Sequence, residues 1–338
     1  MSHPSCSSWQ RMTALRDLGH DVYEVNYHQP GSLANSLAIR MLPRRLYELT
    51  LHKEASSVAA RLLEAVSTRS FDVIWLEWPR LVSADVVERL RRLSPMARVV
   101  SFQDDNPFGL RVRAMHGWSR FLQAIPAYDC HYVKRDSDKL EYHRLGARRV
   151  CQFNGGHSER LFFREHRDPT LPEWPVTFVG SPLDDRLTFL EELIVRYKIP
   201  VQIFGNRWEG SVLFKLKPEL FHPAVLGNDY RRVVVQSDIS LGFVSQSNRD
   251  EWTMRSFEIT ACGGFLLAKR TQAHRRLYLE GAEAEFFDSP AECAQKISTY
   301  LSSPEKRHAI ARQGLIRSQQ SGYGLMSRMA EALSECFQ

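Results

Sequence analysis

The chain has 338 residues, 43% of them hydrophobic and 25% charged, with a formal net charge of +6. That length exceeds what one hydrophobic core fills, so two α/β domains of roughly 150 residues each are expected, with a cleft between them. The composition excludes wholesale disorder and fibrous repeats. The excess arginines, scattered as Arg40, Arg44, Arg45, Arg91, Arg92, Arg148, Arg149, Arg231 and Arg232 without interleaved aromatics, argue against a nucleic-acid platform.

In chain order, Ser8 to Leu18 predicts a first helix ended by Gly19, and Asp21 to Asn26 predicts the second strand of a Rossmann-like domain whose opening strand is missing. Ala34 to Val66 reads as two helices divided at Pro43. Strands follow at Phe71–Trp78, Arg98–Asp105, Cys130–Arg135 and Arg149–Asn154, with a helix at Ser83–Leu93 whose Val86, Val87, Leu90 and Leu93 share a face and whose N-cap is Ser83. The charged, Pro-containing stretch Arg164 to Pro175 reads as a linker and places the domains at 1–168 and 169–338, with the last helix able to pack back on the first domain. The strand rhythm restarts at Val176–Ser181, Val201–Asn206, Ile239–Val244, Phe265–Arg270 and Glu283–Asp288. Two helices, Pro304–Gln319 and Tyr323–Cys336, close the chain around Ser321-Gly322.

No window approaches about 18 uninterrupted apolar residues, and the opening Met-Ser-His-Pro-Ser-Cys has neither the basic nor the apolar region of a leader peptide. The six cysteines, at 6, 130, 151, 262, 293 and 336, hold no Cys-x-x-Cys pair and no zinc-type spacing with histidine. A cytoplasmic location, free thiols and no metal centre are the expectation. Peripheral membrane contact is left open by the basic stretch Arg40 to Arg45.

Two turns in the second half follow strands directly, Gly180-Ser181 and Gly205-Asn206. A ligand of an open parallel sheet lies outside the carboxyl ends of its strands, where glycine lets backbone N–H groups approach a phosphate or a base. Neither a Gly-x-Gly-x-x-Gly nor a Walker-type Gly-Lys-Ser/Thr is present, which removes the dinucleotide-fingerprint and P-loop readings. The stretch Asn248 to Gly264, NRDEWTMRSFEITACGG, runs into the strand FLLAKR. A helix beginning near Thr253 turns unpaired N–H groups and its positive dipole end toward a diphosphate. Arg255 adds a charge-assisted bond, and Glu258, one turn on, offers an acceptor-only carboxylate to the two hydroxyls of a ribose. Asp250 precedes Glu258 with seven residues between. Asp104 and Asp105 directly follow a strand and read either as a general base for an acceptor hydroxyl or as a helix cap before Asn106-Pro107. His157, after Gly155-Gly156, reads as a surface histidine. Trp208 and Trp252 stand where an aromatic face serves a sugar, whereas Trp78 and Trp118 read as core.

On these residues the chain resembles the GT-B glycosyltransferases, whose C-terminal domain carries two acidic residues with seven residues between them, the second followed by a small-residue stretch and a strand. Through SWQRMTALRDLGHDVYEV, SFQDDNP, MRSFEITACGGFLLA and EGAEAEFFDS it looks like the spore-maturation CgeB-like branch, over nearly its whole length. The resemblance implies that Glu258 binds the donor ribose and that Asp250 lies near the donor sugar. It further implies that Thr253 and Met254 present N–H groups to the diphosphate, that Arg186 reaches the same diphosphate, and that Asp104 and Asp105 face the acceptor or the donor sugar. The chain departs from the pattern at Asp250, where glutamate is usual, and at Glu251 and Thr253, where glycines are usual.

The expected activity is transfer of a sugar from a nucleoside diphosphate to a hydroxyl or amine of a glycan, lipid-linked or protein acceptor, with no cofactor or metal required. Two readings compete with it. A sugar-nucleotide epimerase or hydrolase would turn over the donor alone, and a non-catalytic partner protein would bind it without turnover or not at all.

Overall fold

Every strand pairing among the described residues of the computed structural model, 6–26, 44–108 and 118–338, is parallel. Alternating β and α segments require this, because a parallel neighbour is reached only through a crossover. The chain divides into two units, Met1–Asn154 with Met329–Gln338, and Gly155–Arg328.

In the first unit β1 (Val73–Glu77), β2 (Arg98–Gln103), β3 (Cys130–Val133) and β4 (Val150–Gln152) stand side by side in that order. Helices α1 (Ser7–Asp17), α2 (Arg44–Thr68), α3 (Ala84–Leu93), α4 (Ser119–Ala124) and α5 (Asp136–Arg144) belong to the same unit. Helix α3 buries Val86, Val87 and Leu90, whereas Leu93, the fourth residue of the expected stripe, is 49% exposed; Ser83 takes the N-cap position without a side-chain capping bond. On β2 only Arg98 is exposed, so the strand forms the centre of the core.

Asp21 to Asn26 is not a strand. Its carbonyls are met by arginine side chains instead of a ladder: Arg16 donates to Val22 at 3.2 Å, and Arg61 donates to Asn26. Arg40 and Pro43 lie outside the described residues.

The second unit contains β5 (Trp174–Val179), β6 (Gln202–Phe204), β7 (Phe221–His222), β8 (Ser237–Gly242), β9 (Leu266–Lys269) and β10 (Glu285–Phe287), in spatial order β10-β9-β8-β5-β6-β7. The chain runs outward from β5 to β6 and β7, then returns on the other side of β5 as β8. The strand order therefore reverses between β5 and β8, and the carboxyl ends at such a switch point are where open parallel sheets bind ligands. Around the sheet lie α6 (Arg186–Glu191), α7 (Val212–Leu216), α8 (Gly227–Val235), α9 (Arg255–Ala261), α10 (Gln272–Leu277), α11 (Pro290–Leu301) and α12 (Pro304–Gln320). Strand β7 went unread in the sequence because two residues carry no period. The charged stretch Arg164 to Pro175 is part of this unit, where Arg167 donates to the carbonyls of Val235 and Ser237 and pairs with Asp238 at 2.9 Å.

Gly322, at φ +63°, separates α12 from α13 (Leu325–Cys336) as Ser321-Gly322 predicts. The end of α13 belongs to the first unit, where the Tyr132 hydroxyl donates to Ala332 O at 2.5 Å. No helix among the described residues is long and apolar enough to cross a membrane.

Candidate functional site

The loops leaving β5, β6 and β8 meet at the switch point of the second sheet. Gly180 N–H donates to Phe204 O at 2.9 Å, and Gly180 O accepts the indole N–H of Trp208 at 2.9 Å. A Cβ on Gly205 would stand 2.0 Å from that same carbonyl, so the glycine is required by the neighbouring turn itself. Trp208 is 1% exposed and packs edge-on against Phe178. It is a core residue that holds Gly180 in place, with no open ring face for a sugar. Asn206 is exposed beside it.

Beyond Gly180 and Ser181 the chain turns through Asp184 at φ +57°. The Asp184 carboxylate accepts from Ser245 Oγ at 2.9 Å, Gln246 N–H at 3.0 Å and Ser247 N–H at 3.4 Å, lashing the β5 loop to the β8 loop. Burial opposes its ionisation, but the bonds from Ser247 and Ser245 outweigh burial and hold its pKa below the ordinary value. Arg186 opens α6 with its side chain buried; Nη1 donates to Ser181 O at 3.4 Å, and the guanidinium lies 5.9 Å from the Phe178 ring centre.

The acidic stretch folds as read, with α9 starting at Arg255 rather than near Thr253. Glu258 is 4% exposed, and its Oε2 accepts from Arg255 Nη1 at 2.6 Å. The Arg255 guanidinium lies 3.9 Å from the ring centre of Tyr230. Burial works against that charge, but Glu258 and Tyr230 more than compensate and raise its pKa. Arg255 therefore orients the carboxylate. A small void lined by Val179, Leu241, Tyr230, Arg255 and Ile259 puts this pair against β5 and β8.

Thr253 departs from expectation, because its N–H is already engaged by Ser256 Oγ at 3.2 Å. The bond belongs to a relay. His274 Nδ1 lies 2.7 Å from Lys269 O and must donate to it, and in the neutral ring Nε2 then accepts the Ser256 hydroxyl at 2.7 Å. The N–H groups of Met254 and Arg255 take no backbone partner among the described residues and are donors left at this helix start. Asp250 N–H donates to Ser245 O at 2.8 Å, which puts Asp250 in the loop tied down by Asp184. Trp252 is 7% exposed against Phe257, so it too is core.

Asp104 and Asp105 lie in the first unit, just past β2. Asp104 Oδ2 accepts from Ser7 Oγ at 3.3 Å and from Arg11 at 3.4 Å, and its side chain is 44% exposed. Arg11 is anchored by two bonds to Glu77, at 2.8 and 2.6 Å. His157 is buried rather than on the surface, and burial lowers its pKa to about 4. No group of three His, Cys, Asp or Glu side chains suited to a metal occurs among the described residues. The sequence reading missed Asp184, Tyr230 and the Ser256–His274 relay, whose members lie far apart in the chain; only the unusual Leu-Asp-Asp-Arg run hinted at the first.

Residues 186–334 match a family model described as glycosyl transferase-like. No curated protein matches the sequence. Among solved structures the chain is similar to sucrose-phosphate synthase from Thermosynechococcus elongatus, at 15% identity and a TM-score of 0.67, covering 98% of this chain and 92% of that one. A trehalose-6-phosphate structure from E. coli bound with UDP-2-fluoro glucose gives 12% identity and a TM-score of 0.66, covering 100% and 97%. Anabaena HepE in complex with UDP-glucose gives 14% and 0.58, covering 82% of each chain. The protein thus has the two-domain GT-B fold, and residues 186–334 are similar to the glycosyl transferase-like family.

Proposed function

We propose that the protein transfers a sugar from a nucleoside-diphosphate sugar to a hydroxyl or amine acceptor, with the donor held at the β5–β8 switch point of the second unit. The observation that carries the reading is the Arg255–Glu258 pair. It fixes one carboxylate oxygen at 2.6 Å and leaves Oε1 with no partner among the described residues, ready for ribose hydroxyls. Met254 N–H and Arg186 serve the diphosphate, and Asp250 stands on the sugar side. Because the leaving group is an anion, N–H donors and positive charge lower the barrier by stabilising the charge that develops on it. Asp104 and Asp105 serve the acceptor, one of them taking its proton. The solved relatives that carry UDP-glucose or UDP-2-fluoro glucose support UDP as the first nucleotide to try.

The test is a thermal-shift series with UDP, GDP, ADP, CMP and their sugars on the wild type and Glu258→Ala. A ligand at about 100 times its Kd adds about 2.7 kcal/mol, so one nucleotide should raise Tm in the wild type and fail to do so in Glu258→Ala. If every nucleotide leaves a folded wild type unshifted, the donor site is wrong.

A further inference from the structure

Arg80 lies just past the carboxyl end of β1 and is 2% exposed, yet among the described residues it makes no ion pair, and its Nε and Nη2 have no hydrogen-bond acceptor. The other buried arginines of this unit are neutralised: Arg11 by Glu77 at 2.6 Å, Arg135 by Asp138 at 3.0 Å. A cation removed from water is ordinarily paired, because desolvation without a counter-ion is costly. The Trp78 ring, its centre 4.9 Å from the guanidinium, offsets only part of that cost.

Other polar groups without partners lie in the same layer. Trp78 N–H donates to Phe102 O at 2.8 Å, which sets Trp78 beside Gln103, the last residue of β2. Gln103 is 1% exposed, and both its amide nitrogen and its amide oxygen lack partners. The Trp118 ring packs edge-on against Trp78 at 5.6 Å, and its buried indole N–H is likewise unmatched. A guanidinium, a carboxamide and an indole N–H thus supply unused donors, a single positive charge and aromatic walls at the carboxyl edge of β1 and β2. That is the chemistry that recognises an oxyanion.

We infer that the first unit contains a subsite, centred on Arg80 with Gln103 and Trp118, for an anionic oxygen group, phosphate or carboxylate, carried by the acceptor. The word acceptor rests on the proposed sugar transfer; the anion itself does not. Such an acceptor brings the counter-charge that the described residues do not supply, and the match selects anionic over neutral acceptors.

The full chain is titrated with inorganic phosphate and, separately, with acetate by calorimetry, with and without saturating UDP, for the wild type, Arg80→Met and Glu258→Ala. One saturable site is expected in the wild type, kept in Glu258→Ala, kept under UDP, and weakened about tenfold or more in Arg80→Met, as for loss of a charge-assisted fork. Preference for phosphate or for acetate names the group. In anion-free buffer Arg80→Met should match or exceed the wild-type Tm, because a buried unpaired charge is gone. Should that variant not fold, Gln103→Leu keeps the charge, removes the amide and should bind the anion more weakly. The proposal is overturned by no saturable anion binding to folded wild type, by unchanged affinity in the variants, or by displacement with UDP, which would assign the anion to the second unit. Anion binding without any UDP binding would sink the donor reading and leave this one standing.

Discussion

A methyl group at position 205 would lie 2.0 Å from Gly180 O, a backbone atom with no room to retreat. Gly205→Ala is therefore expected to lose about 1–3 kcal/mol, read from urea midpoints, with donor binding weakened because Gly180 must shift. Histidines set the acid side. His131 accepts from Ser101 Oγ at Nδ1, 2.6 Å away, and donates from Nε2 to Ile125 O at 2.9 Å, which only the neutral ring can do. Burial lowers its pKa from 6.5 to about 4, and burial does the same to His157. The unfolded chain then binds more protons between these values, so stability should fall as pH drops from 6.5 toward 4 and level off above 7. Tm measured across that range, and a shallower slope in His131→Asn, check the sign; a flat profile would refute it. The loop, helix and strand that carry Asp250 and Glu258 were legible because an acidic pair, a small-residue stretch and an apolar run fall in one window. The roles of Trp208 and Arg255 were not, since burial against Gly180 and the turn of a guanidinium toward Glu258 depend on packing that spacing does not encode.

At the scale of elements, α11 begins as its sequence says it should. Ser289 Oγ accepts from Glu292 N–H at 3.2 Å, and Pro290 occupies the first turn. Ser289→Ala should cost about 1 kcal/mol in chemical denaturation, the usual worth of such a cap. The same Glu292 also joins Arg270, Lys296, Glu280 and Glu285 in a network across β9, β10 and α11. Its pKa is lowered to about 2, chiefly by the bonds from Arg270. This part of the stability is present above the ordinary carboxylate range and lost as pH falls through about 2, a window below that of the histidines. Helix and strand identities were readable because periods of 3.6 and 2 survive in single segments. Asp21 to Asn26 misled because alternation shows which residues suit a strand, whereas a ladder needs a neighbour, and arginine side chains took its carbonyls.

For the whole molecule, two units with separate cores predict two thermal transitions, of which only that of Gly155–Arg328 should move when the donor nucleotide is added. A calorimetric scan with and without UDP distinguishes this from one merged transition. Alternating strands and helices announced two α/β halves and left the last helix able to pack back on the first, but no local signal marks where along that helix the first half takes over. Met329–Gln338 supplies the carbonyl that Tyr132 bonds. During synthesis, the first unit must wait on the ribosome with a gap in its packing while the whole of Gly155–Arg328 is made, so the half translated first is completed last.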